Sequence, residues 1–268
     1  MSVKGARQGE TAGAEVAYEA IAPVYDDFTH HHNYEAWVTE LLSYLEPLGL
    51  RGRRLLDVAC GTGKSFIPML ERGWEVTASD ISPAMVRLAR EKVGERAALS
   101  VADMRRLPHY GEFDLVWCLD DAINYLADAD ELERALRAMR PNLAPGHGLL
   151  LFDLNALGTY RTFFAEEVEM EINGRRLLWH GLASPEMEPG GTAEAVFEVE
   201  PLDGGEPPIP AETHRQRHFT EAETLAALER SGYECLEVHG LFTDGVLRKP
   251  FDDARHSKAV YIARAARP

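Results

Sequence analysis

Three carboxylates, Asp57, Asp80 and Asp103, stand in the stretches LLDVACGTGKSF, WEVTASD and SVADM. Each ends a strand-like run and precedes a turn or helix signal. Gly61 and Gly63 follow the first of them. Glycines at such a turn let a ligand lie against the backbone, and a helix start behind them favours an anion or a carboxylate. Asp80 is placed to accept both hydroxyls of a ribose. Turn or cap chemistry accounts for any one of these acids alone. Together, at the ends of three successive strands, they line one crevice of a doubly wound sheet, where ligands bind. The ligand this predicts is a nucleoside with little negative charge.

The same stretch ends in Gly63-Lys64-Ser65, the tail of a P-loop. That loop needs G-x-x-x-x-G-K-[ST], and the fifth residue before Gly63 is Val58. Asp57 would also oppose a polyphosphate. A nicotinamide dinucleotide fold would want G-x-G-x-x-G; here Phe66 stands where the third glycine belongs.

The elements that must hold these residues follow from pattern. RRLLDVAC, WEVTASD, RAALSVAD, FDLVWCLD and HGLLLFDLN read as five strands, with helices between them. Ser82 and Pro83 open one helix as cap and first residue; another spans Ala129 to Met139. KSFIPMLERG predicts a helix closed by Gly73. Alternating strands and helices mean a mostly parallel sheet covered on both faces. After Asn155 the pattern changes. Asn173-Gly174 between two strand-like runs signals a type I′ hairpin, and TAEAVFEVE and ETHRQRHFT continue as strands. An antiparallel insert is therefore expected over 166–219. Thr220 and Glu223 form a capping box for the next helix, and YECLEVHG and KAVYIARA complete the expected seven-stranded α/β sheet. The N-terminal residues 1–14 read as a disordered tail.

Composition bounds the partners. The chain has 268 residues, 45% hydrophobic and 27% charged, as globular chains do. Its formal net charge of −16 disfavours nucleic acid and tolerates amines. No apolar run approaches a membrane span. Three scattered cysteines, Cys60, Cys118 and Cys235, fit reduced thiols and a cytoplasmic location.

LDVACGTGKS, VTASDIS, VADMRRLP and FDLVWCLDDAINYL, taken together, resemble the successive motifs of class I S-adenosylmethionine-dependent methyltransferases. The likeness runs well from Tyr18 to Asn155 and only in layout beyond. It implies a Rossmann-like methyltransferase fold over 15–165 and 220–268, with a helical lid at 15–50, and S-adenosylmethionine as cofactor. By position, it implies that Gly61 and Gly63 lie against the methionine part and that Asp57 holds the loop and reaches the ammonium. Asp80 would take the ribose diol and Ile81 would cover the adenine. Asp103 would accept the adenine amino group beside Met104. Leu119 and Asp120 would face the methyl-transfer centre. Ala59 replaces a glycine found in many members, which predicts a slightly tighter loop.

AYEAIAPVYDDFTHHHNYEAW is similar to the lid of relatives that modify amino sugars or glycine, which implies cofactor contacts from Tyr25 and Trp37, with Tyr18 as a further candidate. Core packing is the other reading of these aromatics. His30, His31 and His32 are consecutive and cannot easily converge on one metal ion, so no metal is expected. For the acceptor's proton, Asp120, Asp121 and His214 are the candidates. In a strand, His214, Gln216 and His218 share one face. The insert is expected to form the acceptor site or a homodimer contact. The acceptor is expected to be a small molecule methylated on nitrogen or oxygen, and the net charge favours an amine over a phosphorylated acceptor. Two alternatives stand beside this reading: a dinucleotide oxidoreductase and a non-catalytic cofactor-binding protein.

Overall fold

The computed structural model describes residues 14–202, 209–242 and 245–266. The tail expected at 1–14 lies outside them except for Ala14. In chain order the elements are α1 (Ala14–Phe28), α2 (Tyr34–Leu45), β1 (Arg54–Val58), α3 (Ile67–Glu71), β2 (Glu75–Asp80), α4 (Pro83–Val93), β3 (Ala97–Val101), β4 (Leu115–Cys118), α5 (Ala129–Met139) and β5 (Leu149–Asn155). Then come α6 (Leu157–Arg161), β6 (Glu167–Ile172), β7 (Arg175–Gly181), β8 (Thr192–Pro201), β9 (Ile209–Arg217), α7 (Glu221–Arg230), β10 (Tyr233–Leu241), β11 (Leu247–Arg248) and β12 (Lys258–Ala265).

The large sheet has the order β11-β10-β12-β5-β4-β1-β2-β3. From β3 to β5 every pair is parallel, and β12 then runs antiparallel to β5. The order reverses between β1 and β4, the switch point where such sheets open a crevice. Side chains alternate between two cores, as strands covered on both faces require. Leu55, Trp117, Leu151 and Ile262 enter one core with α2 to α4. Leu56, Val116, Phe152 and Tyr261 enter the other with α5 and α7. Eight strands stand where seven were expected. The eighth, β11, pairs through only Leu247 and Arg248, too short a run to show a period in sequence.

Caps fall where the residue types predict them. The Ser82 side chain accepts from the Met85 amide, and Thr220 and Glu223 complete a reciprocal box at α7. One helix is shorter than predicted: α3 has five residues and starts at Ile67, with turns over Thr62–Phe66. Its amide dipole is correspondingly brief, and its start favours an anion less than a long helix would.

The second sheet, β6-β7-β8-β9, is antiparallel throughout. Its first hairpin turns at Asn173 (φ +50°) and Gly174 (φ +75°), the paired positive φ that a type I′ turn demands. Leu177, Trp179, Ala195 and Phe197 form a third core with Ile21 and Val24 of α1 and Tyr160 of α6. This packing seats α1 between the second sheet and α4, over the carboxyl ends of the parallel strands.

Candidate active site

A cavity of about 740 Å³ lies at those strand ends, within the range of small-molecule sites. At one end its wall carries Ala59, Gly61, Asp80 and Ile81, then Asp103 and Met104. Leu119 and Asp120 follow at the end of β4, and Tyr18, Tyr25 and Tyr34 come from the lid helices. Thr213, Gln216 and Arg217 of β9 close the far side.

Asp80 is buried, and its carboxylate accepts the Gly61 amide at 2.8 Å and the Ser82 amide at 2.9 Å. Burial pushes its pKa up despite those amides. Both oxygens keep a further lone-pair site, and the group lies on the cavity wall. Burial would also raise Asp103, but the Arg105 guanidinium, 2.7–3.0 Å away, holds that carboxyl below the usual range.

The glycine turn is bound to the lid. The Thr62 hydroxyl donates to Asp26 at 2.5 Å, and the Lys64 ammonium donates to the Thr29 carbonyl at 2.8 Å while standing over the Tyr34 ring. Lys64 thus serves as a lid anchor, which explains a P-loop ending without a P-loop. Glu19 of α1 accepts from the Ser82 hydroxyl and the Ala84 amide.

Ala59 has φ +61°. A non-glycine residue there costs about 1–2 kcal/mol, so the departure is a strained backbone rather than a tighter loop. Ala59→Gly is expected to stabilise the protein by about 0.5–1 kcal/mol, since the relieved strain exceeds the added backbone entropy of glycine. Chemical denaturation checks this; a destabilised variant would show that the strain is absent.

The sequence candidates Asp57, Gly63, Trp37, Asp121 and His214 lie off the cavity wall. Asp57 is 1% exposed and accepts from the Ser65 hydroxyl at 2.6 Å. Burial pushes its pKa up to about 7, with Ser65 and the Trp117 indole acting against that. It holds the loop through Ser65 and does not itself reach the cavity. Gly63 (φ +89°) serves packing: a Cβ there would come within 2.8 Å of the Phe66 ring. Trp37 backs onto Lys258, whose ammonium is 5.8 Å from the ring centroid. His214 is buried behind Tyr125, with Nδ1 2.7 Å from that phenol.

Asp120 sits in a cluster that sequence reasoning missed. Its backbone (φ +64°) and that of Asp121 (φ +53°) are both left-handed. The buried Asp153 holds this turn by accepting the Asp120 amide at 2.6 Å and the Asp121 amide at 3.1 Å. Lys258 donates to Asp120 at 3.0 Å, Asp121 at 2.7 Å and Asp153 at 2.8 Å. The Tyr34 hydroxyl takes the other Asp120 oxygen at 2.6 Å. Burial alone would raise the Asp120 pKa; Lys258 outweighs it and keeps the carboxyl well below the usual range. Asp153, with no surface at all, is pushed up to about 6. The Gln216 amide donates to Asp121 at 2.6 Å while its oxygen accepts from Asn155 at 2.9 Å, so β9 is locked to the turn after β4. The three histidines of the lid lie at the surface. Among the described residues no group of three or more potential ligands could hold a metal ion.

A parallel sheet with this strand order, a glycine turn on Asp80 and a third acid beyond it define a doubly wound fold with a crevice suited to a nucleoside cofactor. A methyltransferase-domain model matches residues 55–146. The Bacillus subtilis protein YqeM, a methyltransferase by designation only, is 30% identical over 233 residues, covering 85% of this chain and 90% of that protein. A dTDP-3-amino-3,6-dideoxy-alpha-D-glucopyranose N,N-dimethyltransferase from Streptomyces fradiae is 29% identical over 144 residues, 52% of this chain and 56% of its own. Among solved structures, a S-adenosylmethionine-dependent methyltransferase from Clostridium acetobutylicum superposes with a TM-score of 0.75 at 20% identity, covering 93% of this chain and 99% of that one. KedS8, a sugar N-methyltransferase from Streptoalloteichus, gives 0.66 at 28% identity over 98% and 99%. The chain belongs to the S-adenosylmethionine-dependent methyltransferases, and the oxidoreductase alternative falls away.

The wall fits that cofactor. A glycine edge, a buried carboxylate with free lone pairs for a diol, and an apolar residue beside each suit a nucleoside carrying a positive sulfonium.

Proposed function

We propose that the chain methylates an amine nitrogen of a small molecule. In this reading Asp80 takes the ribose diol, Gly61 and Ala59 lie along the methionine part, and Ile81, Asp103 and Met104 surround the adenine. Tyr25 covers the cofactor, and Leu119 and Asp120 face the transfer centre. The cofactor supplies an activated methyl group on its sulfonium. The chain contributes position and the exclusion of water.

One observation carries the choice of nitrogen: the carboxylate at the transfer end, Asp120, is locked in its ionised form by Lys258 and Tyr34. It is a poor base and a good partner for positive charge. The phenols beside it, Tyr18 and Tyr125, are pushed up by burial. A hydroxyl acceptor would need a base, whereas a neutral amine brings its own lone pair. The amino-sugar relatives agree with this reading.

We assign 15–165 and 220–268 to the catalytic unit, 15–50 to its lid and 166–219 to an acceptor-side insert. Free Cys60, Cys118 and Cys235 support a cytoplasmic setting; among the described residues no helix is long and apolar enough to cross a membrane. Any homodimer would use the face of the insert, because Glu167, Glu169 and Glu171 charge its β6 edge.

The test is methyl transfer from labelled S-adenosylmethionine to a panel of small amines, phenols and carboxylic acids. Amines should accept the label, faster as pH rises towards the amine pKa. Labelling of phenols or acids without amines would overturn the assignment to nitrogen.

A further inference from the structure

Behind the acceptor side of the cavity runs a chain of three polar groups from three separate elements. The Tyr18 hydroxyl of α1 donates to the Tyr125 oxygen at 3.1 Å. Tyr125, in the turn after β4, is 2.7 Å from Nδ1 of His214 on β9. Tyr18 and Tyr125 are on the cavity wall and His214 is not. The rings of Tyr18 and His214 also meet edge to face, centroids 5.6 Å apart. These contacts join the lid, the main sheet and the second sheet at one point.

His214 is 3% exposed, and its Nε2 has no hydrogen-bond partner. An unpaired buried nitrogen is costly, and its presence calls for an explanation. Burial drives the His214 pKa down to about 4, so the ring is neutral at working pH and unsuited to take a proton from a methylated amine. A neutral ring does have one unprotonated nitrogen. Tyr125 accepts from Tyr18, and in the tautomer that carries the ring proton on Nε2 its own hydrogen goes to Nδ1. The chain then has one polarity, from Tyr18 through Tyr125 to His214. The Tyr18 oxygen at its open end keeps its lone pairs for the cavity.

We propose that His214 is a positioning residue that acts through Tyr125 and Tyr18, pinning α1 over the cofactor and fixing two phenols against the acceptor. This rests on the methyltransferase reading. It replaces the role of general base with one of orientation. Asp120 and Asp121, the nearest charges on the β4 side, are both tied to Lys258. The rings of Trp179 and Phe197 lie on the β7 and β8 side.

The experiment uses the full chain with S-adenosylhomocysteine. His214→Phe keeps an aromatic ring between Trp179 and Phe197 but removes the acceptor for Tyr125. It should release S-adenosylhomocysteine about tenfold faster, the effect of one lost hydrogen bond, and raise amide exchange in α1 alongside. Tyr125→Phe should do the same, and the double variant should be no worse than either single one. His214→Asn, which offers an oxygen near the place of Nδ1, should recover most of the wild-type rate. On an amine found by the panel, His214→Phe should lower kcat about tenfold. Wild-type release from His214→Phe, or additive effects in the double variant, would overturn the proposal by showing that His214 only packs. Failure of the wild type to bind S-adenosylhomocysteine would instead count against the cofactor assignment, so the two outcomes are distinct.

Discussion

Lys258→Met should destabilise the protein by about 3–5 kcal/mol, the cost of removing one partner from a buried ion cluster. Lys258 is the one cation that hydrogen-bonds to Asp120, Asp121 and Asp153 among the described residues, and its side chain is only 14% exposed. Methionine fills similar volume, so the effect is electrostatic rather than a cavity. The turn at Asp120 and Asp121 is already strained by two left-handed residues, each costing about 1–3 kcal/mol, and Asp153 holds it by accepting both amides.

The loss should also depend on pH. Burial raises the Asp153 pKa to about 6 even beside Lys258. A carboxyl raised in the folded state binds more protons there than in the unfolded chain, between its ordinary value and its raised one. Stability therefore falls as pH rises through that window and levels off above it. Without Lys258 the window extends upward. The gap between variant and wild type should then be smallest near pH 5 and widest near pH 8, as read by denaturant titration at both. Adding Asp121→Asn to Lys258→Met should recover part of the loss by removing one surplus charge. A single variant that unfolds like the wild type at pH 8 would refute this account of the cluster.

The strand ends that border the cavity beside Asp80 and Asp103 were legible because these acids sit at pattern breaks. Asp57, Asp80 and Asp103 each end an apolar or alternating run before a glycine or a cap, and a parallel sheet puts such breaks on one edge. The second sheet was legible from Asn173-Gly174, whose backbone requirement is local. The cluster around Asp120 was not. Lys258 opens β12 and Asp153 lies within the buried run of β5, and neither position breaks a pattern. They meet Asp120 only because β12 pairs with β5 beside β4. Tyr125 and His214 are 89 residues apart, and no period links a turn in one sheet to a strand in another. Trp37 was read as a cofactor contact from its place in the lid, but Tyr34, one turn away on α2, is the residue that faces the cavity.

Asp80→Ala should weaken S-adenosylhomocysteine binding by about 2–4 kcal/mol, roughly 30- to 1,000-fold in dissociation constant. The carboxylate would be the shared acceptor for two ribose hydroxyls, and its removal leaves both without a partner in a site that excludes water. Part of the effect could come from the loop, since Asp80 also holds the Gly61 and Ser82 amides. Two comparisons separate these causes. Asp80→Asn keeps one carbonyl acceptor and should fall between wild type and Asp80→Ala. A cofactor analogue lacking the ribose diol should bind wild type and Asp80→Ala with similar affinity, because the lost interaction is then absent from both. Calorimetry with the two ligands decides the matter. An unchanged dissociation constant for S-adenosylhomocysteine would remove Asp80 from the site. An equal loss for both ligands would assign it to holding the glycine turn alone.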